Sequence, residues 1–319
     1  MKKLLLIVLL AGFTAFAQEP TKRIEFEAPG MYPECVAYDK ANNVFYVSSA
    51  RLGTVGKVTM DGKYTTLYAD SSLKSTYGVK LHPDGKRLFV CAGDANYSIY
   101  STPETKKKMA KLISIDIKTG KKLTDTHLSQ LVPGDHFPND LAFDDKGNAY
   151  ITDSYAYAIY KVDAAGKASV FSKSAMLKEA GVGPNGIVYH RGGFLLVSCN
   201  GKGVLLKLDL KNPNTATKVK ISQFFPGADG LILNDDQTLT LVQNGGVNKI
   251  FLIKSSDNWS TAVVAGATAM EDRFAYPSTA TVAGRNTWVM NANFSELAEG
   301  NNVPSKKFSI QKAEFKSAP

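Results

Sequence analysis

The stretch Pro138-Asn139-Asp140-Leu141-Ala142-Phe143, followed past Asp144-Asp145-Lys146-Gly147 by Ala149-Tyr150-Ile151-Thr152, decides the fold because it recurs. Each run is short, apolar and rich in β-formers, and the Lys-Gly pair between them suits a tight turn joining antiparallel strands. Working outward, five more openings align with it: Pro33-Glu34-Cys35-Val36, Tyr77-Gly78-Val79, Pro184-Asn185-Gly186-Ile187, Ala228-Asp229-Gly230-Leu231 and Pro277-Ser278-Thr279-Ala280. Each leads into a second β-rich run: Val44–Val47, Leu88–Val90, Phe194–Val197, Leu239–Val242 and Thr287–Met290. A third strand ends near Asp61, Asp116, Asp163 and Asp209, and a fourth follows, as at Tyr64–Tyr68 and Ala168–Phe171.

Four short antiparallel strands, six times over, predict an all-β, six-bladed β-propeller. The aligned slots Glu34, Tyr77, Asn139, Asn185, Asp229 and Ser278 are 43, 62, 46, 44 and 49 residues apart. The long second interval marks an insertion around Asn96–Met109. The sixth repeat has little chain left beyond a third strand near Phe308–Gln311, whereas Arg23-Ile24-Glu25-Phe26 precedes the first repeat. The N-terminal strand is therefore expected to complete the last blade and close the ring, removing a free sheet edge.

Lys2-Lys3, the apolar run Leu4–Ala11 and Ala15-Phe16-Ala17 read as a signal peptide over residues 1–17. Cleavage before Gln18 leaves one domain, residues 18–319, 302 of the 319 residues, in an exported protein, periplasmic or secreted. No other stretch approaches twenty apolar residues, so no membrane span is expected after cleavage. Cys35, Cys91 and Cys199 are odd in number and lie in apolar segments, which favours buried free thiols, with a Cys35–Cys91 pair as the alternative. The formal charge of +9 is dispersed and lacks a recognition helix, so nucleic acid is not an expected partner. Gly-x-Ser-x-Gly and a Gly-rich phosphate loop are absent from the sequence.

The first strand of each propeller blade lines the axis, so the slots converge there. Glu34, Asn139, Asn185 and Asp229 offer oxygen, the donor of hard cations, and His and Cys are missing from the slots. The expected cofactor is calcium, with magnesium, manganese or zinc as substitutes. Asx residues also open strands through local hydrogen bonds, but two carboxylates near one axis need a countercharge.

The Glu34, Pro138-Asn139-Asp140, Pro184-Asn185-Gly186 and Asp229-Gly230 motifs resemble the senescence-marker-protein/gluconolactonase/strictosidine-synthase-like family of six-bladed propellers across essentially the whole mature chain. The resemblance implies an axial divalent ion and hydrolysis of lactones or related esters. It implies Glu34, Asn185 and Asp229 as ligands, Asn139 as ligand or substrate contact, and Asp229 as base or nucleophile. Where gluconolactonase members carry an Arg that binds sugar hydroxyls, this chain has Phe137, and its first motif reads Glu34-Cys35-Val36.

His136, three residues before Asn139, is a second base candidate, although a loop histidine is ordinarily solvated. Tyr77 and Asn244 are candidate substrate contacts, with Asp153, Asn200 and Asn291 at equivalent strand ends. The loops 93–111, with Tyr97, Tyr100 and Lys106–Lys108, and 291–306, with Phe294 and Glu296, are candidate lids. The expected activity is that of a metal-dependent lactonase or esterase acting on a small lactone, ester or sugar-derived substrate. The rival is a non-catalytic secreted propeller that binds a glycan or protein around a structural calcium.

Overall fold

The computed structural model describes residues 22–298 and 304–317; the expected signal segment lies outside them. Six antiparallel sheets, each built from four consecutive strands apart from one exchange at the termini, account for the chain. In the third, Pro138–Phe143, Ala149–Asp153, Ala158–Val162 and Ala168–Ser172 run from the axis outward. The first strands of successive blades (Val36–Asp39, Ser75–Leu81, Pro138–Phe143, Pro184–His190, Ala228–Leu233, Pro277–Ala283) touch one another in a closed ring. Among the described residues helix is limited to one α turn, Ser295–Ala298, and three single 3-10 turns.

Arg23–Glu27 is the fourth strand of blade six, antiparallel to Lys307–Lys312, with Ile24 opposite Ile310 and Phe26 opposite Phe308. Alternation sets this register, since Ile24 and Phe26 are buried while Arg23, Glu25 and Glu27 face solvent. One pairing was not foreseen: Lys316–Ser317 crosses from blade six and adds a fifth strand to blade five, opposite Gly266 and Ala267.

The core lies between blades. Ala37, Val44 and Tyr46 of blade one, for instance, face Val79, Leu88 and Val90 of blade two in one cluster. Inner strands are therefore apolar on both faces, whereas outer ones such as Tyr64–Ala69 are half-exposed. The turns behave as their residues demand: Gly147 sits at φ 78, where a side chain would be strained. All three cysteines are free and buried, and burial pushes the Cys35 thiol up to about 12. The insertion starts at the end of Arg87–Gly93 and stops at Ala110–Asp116, so it joins the second and third strands of blade two.

Candidate functional site

A repeated backbone irregularity presents the slot residues. In five blades the first strand advances three residues while its partner advances two. Pro138 and Leu141 pair with Asp153 and Ile151, and Ala228 and Leu231 with Gln243 and Leu241. Blades two, four and six repeat the shift at Thr76/Val79, Pro184/Ile187 and Pro277/Ala280. The extra residue is a β-bulge, which takes the slot out of the ladder and re-aims its side chain. In blade one the ladder begins only at Val36, two residues past Glu34.

Close approach completes the convergence. Gly78 and Gly230 follow slots Tyr77 and Asp229. A Cβ on Gly78 would meet the Asn139 carbonyl at 2.6 Å, and one on Gly230 would lie 2.8 Å from Thr279 Cα. Gly186, after Asn185, is pressed in the same way against the Asp229 backbone. Hydroxyls then stitch three of the slots to the neighbouring blade: Thr152 donates to Asn185 O at 2.6 Å, Ser198 to Asp229 O at 2.8 Å, and Ser278 to Glu34 O.

The four expected ligands share one feature. Among the described residues only seven buried side-chain oxygens lack a hydrogen-bond partner, and four are Glu34 Oε2, Asn139 Oδ1, Asn185 Oδ1 and Asp229 Oδ1. All four are acceptors from residues at most 7% exposed. In two of them the other polar atom is fixed: Asn139 Nδ2 donates to Ser154 Oγ at 3.1 Å, and Asp229 Oδ2 accepts from Asn244 Nδ2 at 2.6 Å. An orphaned buried acceptor costs about 1–3 kcal/mol, so four in equivalent slots suit a shared cation rather than chance. No three Asp, Glu, His or Cys side chains are grouped as a cation site among the described residues. The donor set would be the mixed one, two carboxylates and two amides, which fits a hard cation.

The electrostatics agree. Burial, then the charges of Asp229 and Asp140, hold the Glu34 carboxyl well above its usual range, with Lys80 opposing. Burial raises Asp229 to about 8, with the Asn244 and Asn185 amides pulling down and Asp140 adding to the rise. Two carboxyls that burial holds toward the neutral form are a charge deficit that a cation would reverse.

Above the slots lies an aromatic roof. Tyr97 of the insertion and Tyr276, just before Pro277-Ser278, both pack on Phe294 of the second long loop, at centroid distances of 5.5 and 5.6 Å. Burial, then the charges of Asp229 and Tyr97, push Tyr276 up to about 12, so Tyr276 lies within electrostatic reach of Asp229. Tyr77 packs edge-on against Phe137 at 4.8 Å, and its hydroxyl accepts from the Ala95 N–H at 3.0 Å. Its polar group thus braces the insertion, and Phe137 sits within an aromatic cluster with Tyr155.

His136 corrects the expectation of a solvated loop histidine. It is 2% exposed, and its Nδ1 lies 2.7 Å from Asp153 Oδ2. Asp153 also accepts the Phe137, Tyr155 and Ala156 N–H groups, so the carboxylate is fixed in place and holds the His136 ring by its Nδ1 edge, leaving Nε2 as the other ring nitrogen. Of the strand-end candidates, Asn244 reaches Asp229, while Asn200 donates to Ala228 O and Asn291 to Ser309 and Gln311. Sequence reasoning missed Lys80 and Asp140, whose charged atoms lie 3.6 Å apart on the axis. A lysine between Val79 and Leu81 in a strand expected to be buried was the available signal.

No protein-family model matches the chain. It is 24% identical over 253 residues to the curated lactonase drp35 of Staphylococcus haemolyticus, covering 78% of this chain and 58% of the relative, so it spans little more than half of that protein. Among solved structures, the major allergen Mala s 1 of Malassezia sympodialis superposes with TM-score 0.74 at 17% identity, covering 93% of this chain and 97% of that one. A putative gluconolactonase superposes with TM-score 0.59 at 15% identity, covering 94% and 95%. These structural likenesses concern the fold alone. The match to a lactonase and the six-bladed ring are in keeping with the resemblance to the senescence-marker-protein/gluconolactonase-like propellers.

Proposed function

We propose that the chain is an exported hydrolase of lactones or related esters that holds one divalent cation, calcium by its all-oxygen donors, on Glu34, Asn139, Asn185 and Asp229. The observation that carries the reading is the set of four orphaned, buried acceptors contributed by four blades. The curated lactonase relative supports the same class of reaction.

When bound, the cation supplies Lewis-acid polarisation of a carbonyl and countercharge for the oxyanion that forms on attack. The remaining work falls to the chain. Asp229, anchored through Oδ2 by Asn244, takes the proton of the attacking water. It returns that proton to the alkoxide released when the lactone C–O bond breaks, leaving a hydroxy acid. His136 Nε2, oriented by Asp153, is the second group able to accept a proton. Asn139 orients the substrate beside Ser154. The roof of Tyr97, Tyr276 and Phe294 excludes water and favours an apolar ring or acyl group. Phe137 offers nothing to sugar hydroxyls, so alkyl and aryl lactones should be better substrates than gluconolactone.

The test is thermal unfolding of the mature protein after chelation, with calcium titrated back, beside a panel of alkyl, aryl and sugar lactones. Native-state binding stabilises by about 2.7 kcal/mol at one hundred times Kd. A calcium-dependent rise with turnover of apolar lactones supports the proposal. A rise without turnover of any lactone or ester leaves the binding propeller with a structural calcium. Neither effect removes the cation altogether. Export is checked by the N-terminus of the recovered protein, expected at Gln18.

A further inference from the structure

Beneath the slots the first strands of all six blades enclose a cavity of about 320 Å³ that opens at the opposite end of the axis. Its wall is apolar (Val36, Leu141, Ile187, Leu231, Ala280), with one charged exception, Lys80. The Lys80 side chain is 23% exposed, and its Nζ lies 3.6 Å from Asp140 Oδ1. Asp140 is 1% exposed and otherwise accepts only two backbone N–H groups, Leu141 at 2.8 Å and Ile187 at a long 3.5 Å. Asp140 acts electrostatically on both Glu34 and Asp229, and Lys80 acts on Glu34. These four side chains form one electrostatic unit along the axis.

Charge arithmetic then constrains what the unit can hold. Three carboxylates against one ammonium leave two negative charges when all are ionised, the match for a single divalent ion. Without Lys80 there would be three, and Asp140 would lose the one ammonium beside it, leaving its charge to the bound cation. We propose that Lys80 is the fixed cation of the axial channel: it matches Asp140 and so sets the charge, and with it the affinity, of the slot ring for one divalent ion. This inference rests on the reading of the slots as a cation site.

The test is calorimetric titration of calcium into chelated wild-type protein, K80M, D140N and K80M/D140N at pH 8, after circular dichroism shows each folded. A unit charge within about 10 Å of a divalent ion at an effective dielectric near 20 shifts affinity by more than tenfold. K80M, with one more net negative charge, should bind at least tenfold more tightly. D140N, with one fewer, should bind at least tenfold more weakly. The double variant restores the balance and should fall within threefold of wild type, with one ion bound. Should K80M not fold, the contrast between D140N and the double variant carries the same test. K80M and D140N both within threefold of wild type, or shifts of the same sign, would make Lys80–Asp140 a structural pair and overturn the proposal. Wild type that takes up no calcium is a separate outcome, and it removes the cation site itself together with this inference.

Discussion

Asp229→Asn should stabilise the cation-free protein, the opposite of what replacing a site residue usually does to a folded chain. Without a cation the Asp229 carboxyl is buried and raised from 3.8 to about 8. The sign follows from linkage. The folded state keeps a proton that the unfolded state has lost, so this stability is fully present below about pH 4 and disappears as pH rises through 8. At pH 7 about three units of mismatch, at 1.36 kcal/mol each, weigh against the folded chelated protein by roughly 4 kcal/mol. At pH 5 the figure drops below about 2 kcal/mol. An Asn at this site is nearly isosteric, keeps an oxygen for the Asn244 amide, and carries no charge to bury. Urea unfolding in chelator should therefore show the variant more stable than wild type by about 2–4 kcal/mol at pH 7, and by less at pH 5. Saturating calcium should reverse the order, because only the carboxylate gives the ring its full countercharge. A chelated Asp229→Asn variant no more stable than wild type at pH 7 would refute the idea that this carboxylate is held without compensation.

Other perturbations test neighbouring claims. Asn244→Ala removes the 2.6 Å bond to Asp229 and a second to Pro277 O; it should cost the calcium-loaded protein about 1.5–3 kcal/mol and lower kcat on a lactone more than it changes KM. Phe26→Ala empties a buried position in the strand that closes the ring and should cost about 3–5 kcal/mol in urea unfolding; a loss below 1 kcal/mol would mean the closure contributes little. Because Cys35, Cys91 and Cys199 are buried, with burial raising all three thiols, a thiol reagent at pH 7.5 should label none of them in native protein and all three in urea. Rapid native labelling of any one would contradict the interior described.

The fold was readable because its unit is local. Each blade announces itself by short apolar runs, a Gly-bearing turn and a slot residue, and six copies average out the ambiguity of any one strand. Even the exchange at the termini was legible, since a lone strand at one end and a missing strand at the other leave one solution that avoids a free edge. The slot residues were legible for the same reason: Glu34, Asn139, Asn185 and Asp229 occupy one position of a repeat. The added strand Lys316–Ser317 escaped because two residues carry no periodicity.

The surroundings of the slots were not legible, because they come from segments distant in sequence. Nothing local joins His136 to Asp153, Asn244 to Asp229, or Tyr97 to Phe294, and each pair meets only when neighbouring strands or separate blades converge. Lys80 was hidden most completely, for a lysine inside an apolar strand is uninterpretable until the ring sets it beside Asp140 of the next blade. The sequence alone thus determined a six-bladed ring and the four oxygen-bearing residues aimed at its axis, since both repeat. The tertiary structure alone decided which of those oxygens are left without partners, which charges surround them and which aromatic rings roof them. Those properties depend on burial and on contacts across the ring, and neither is written in any single repeat.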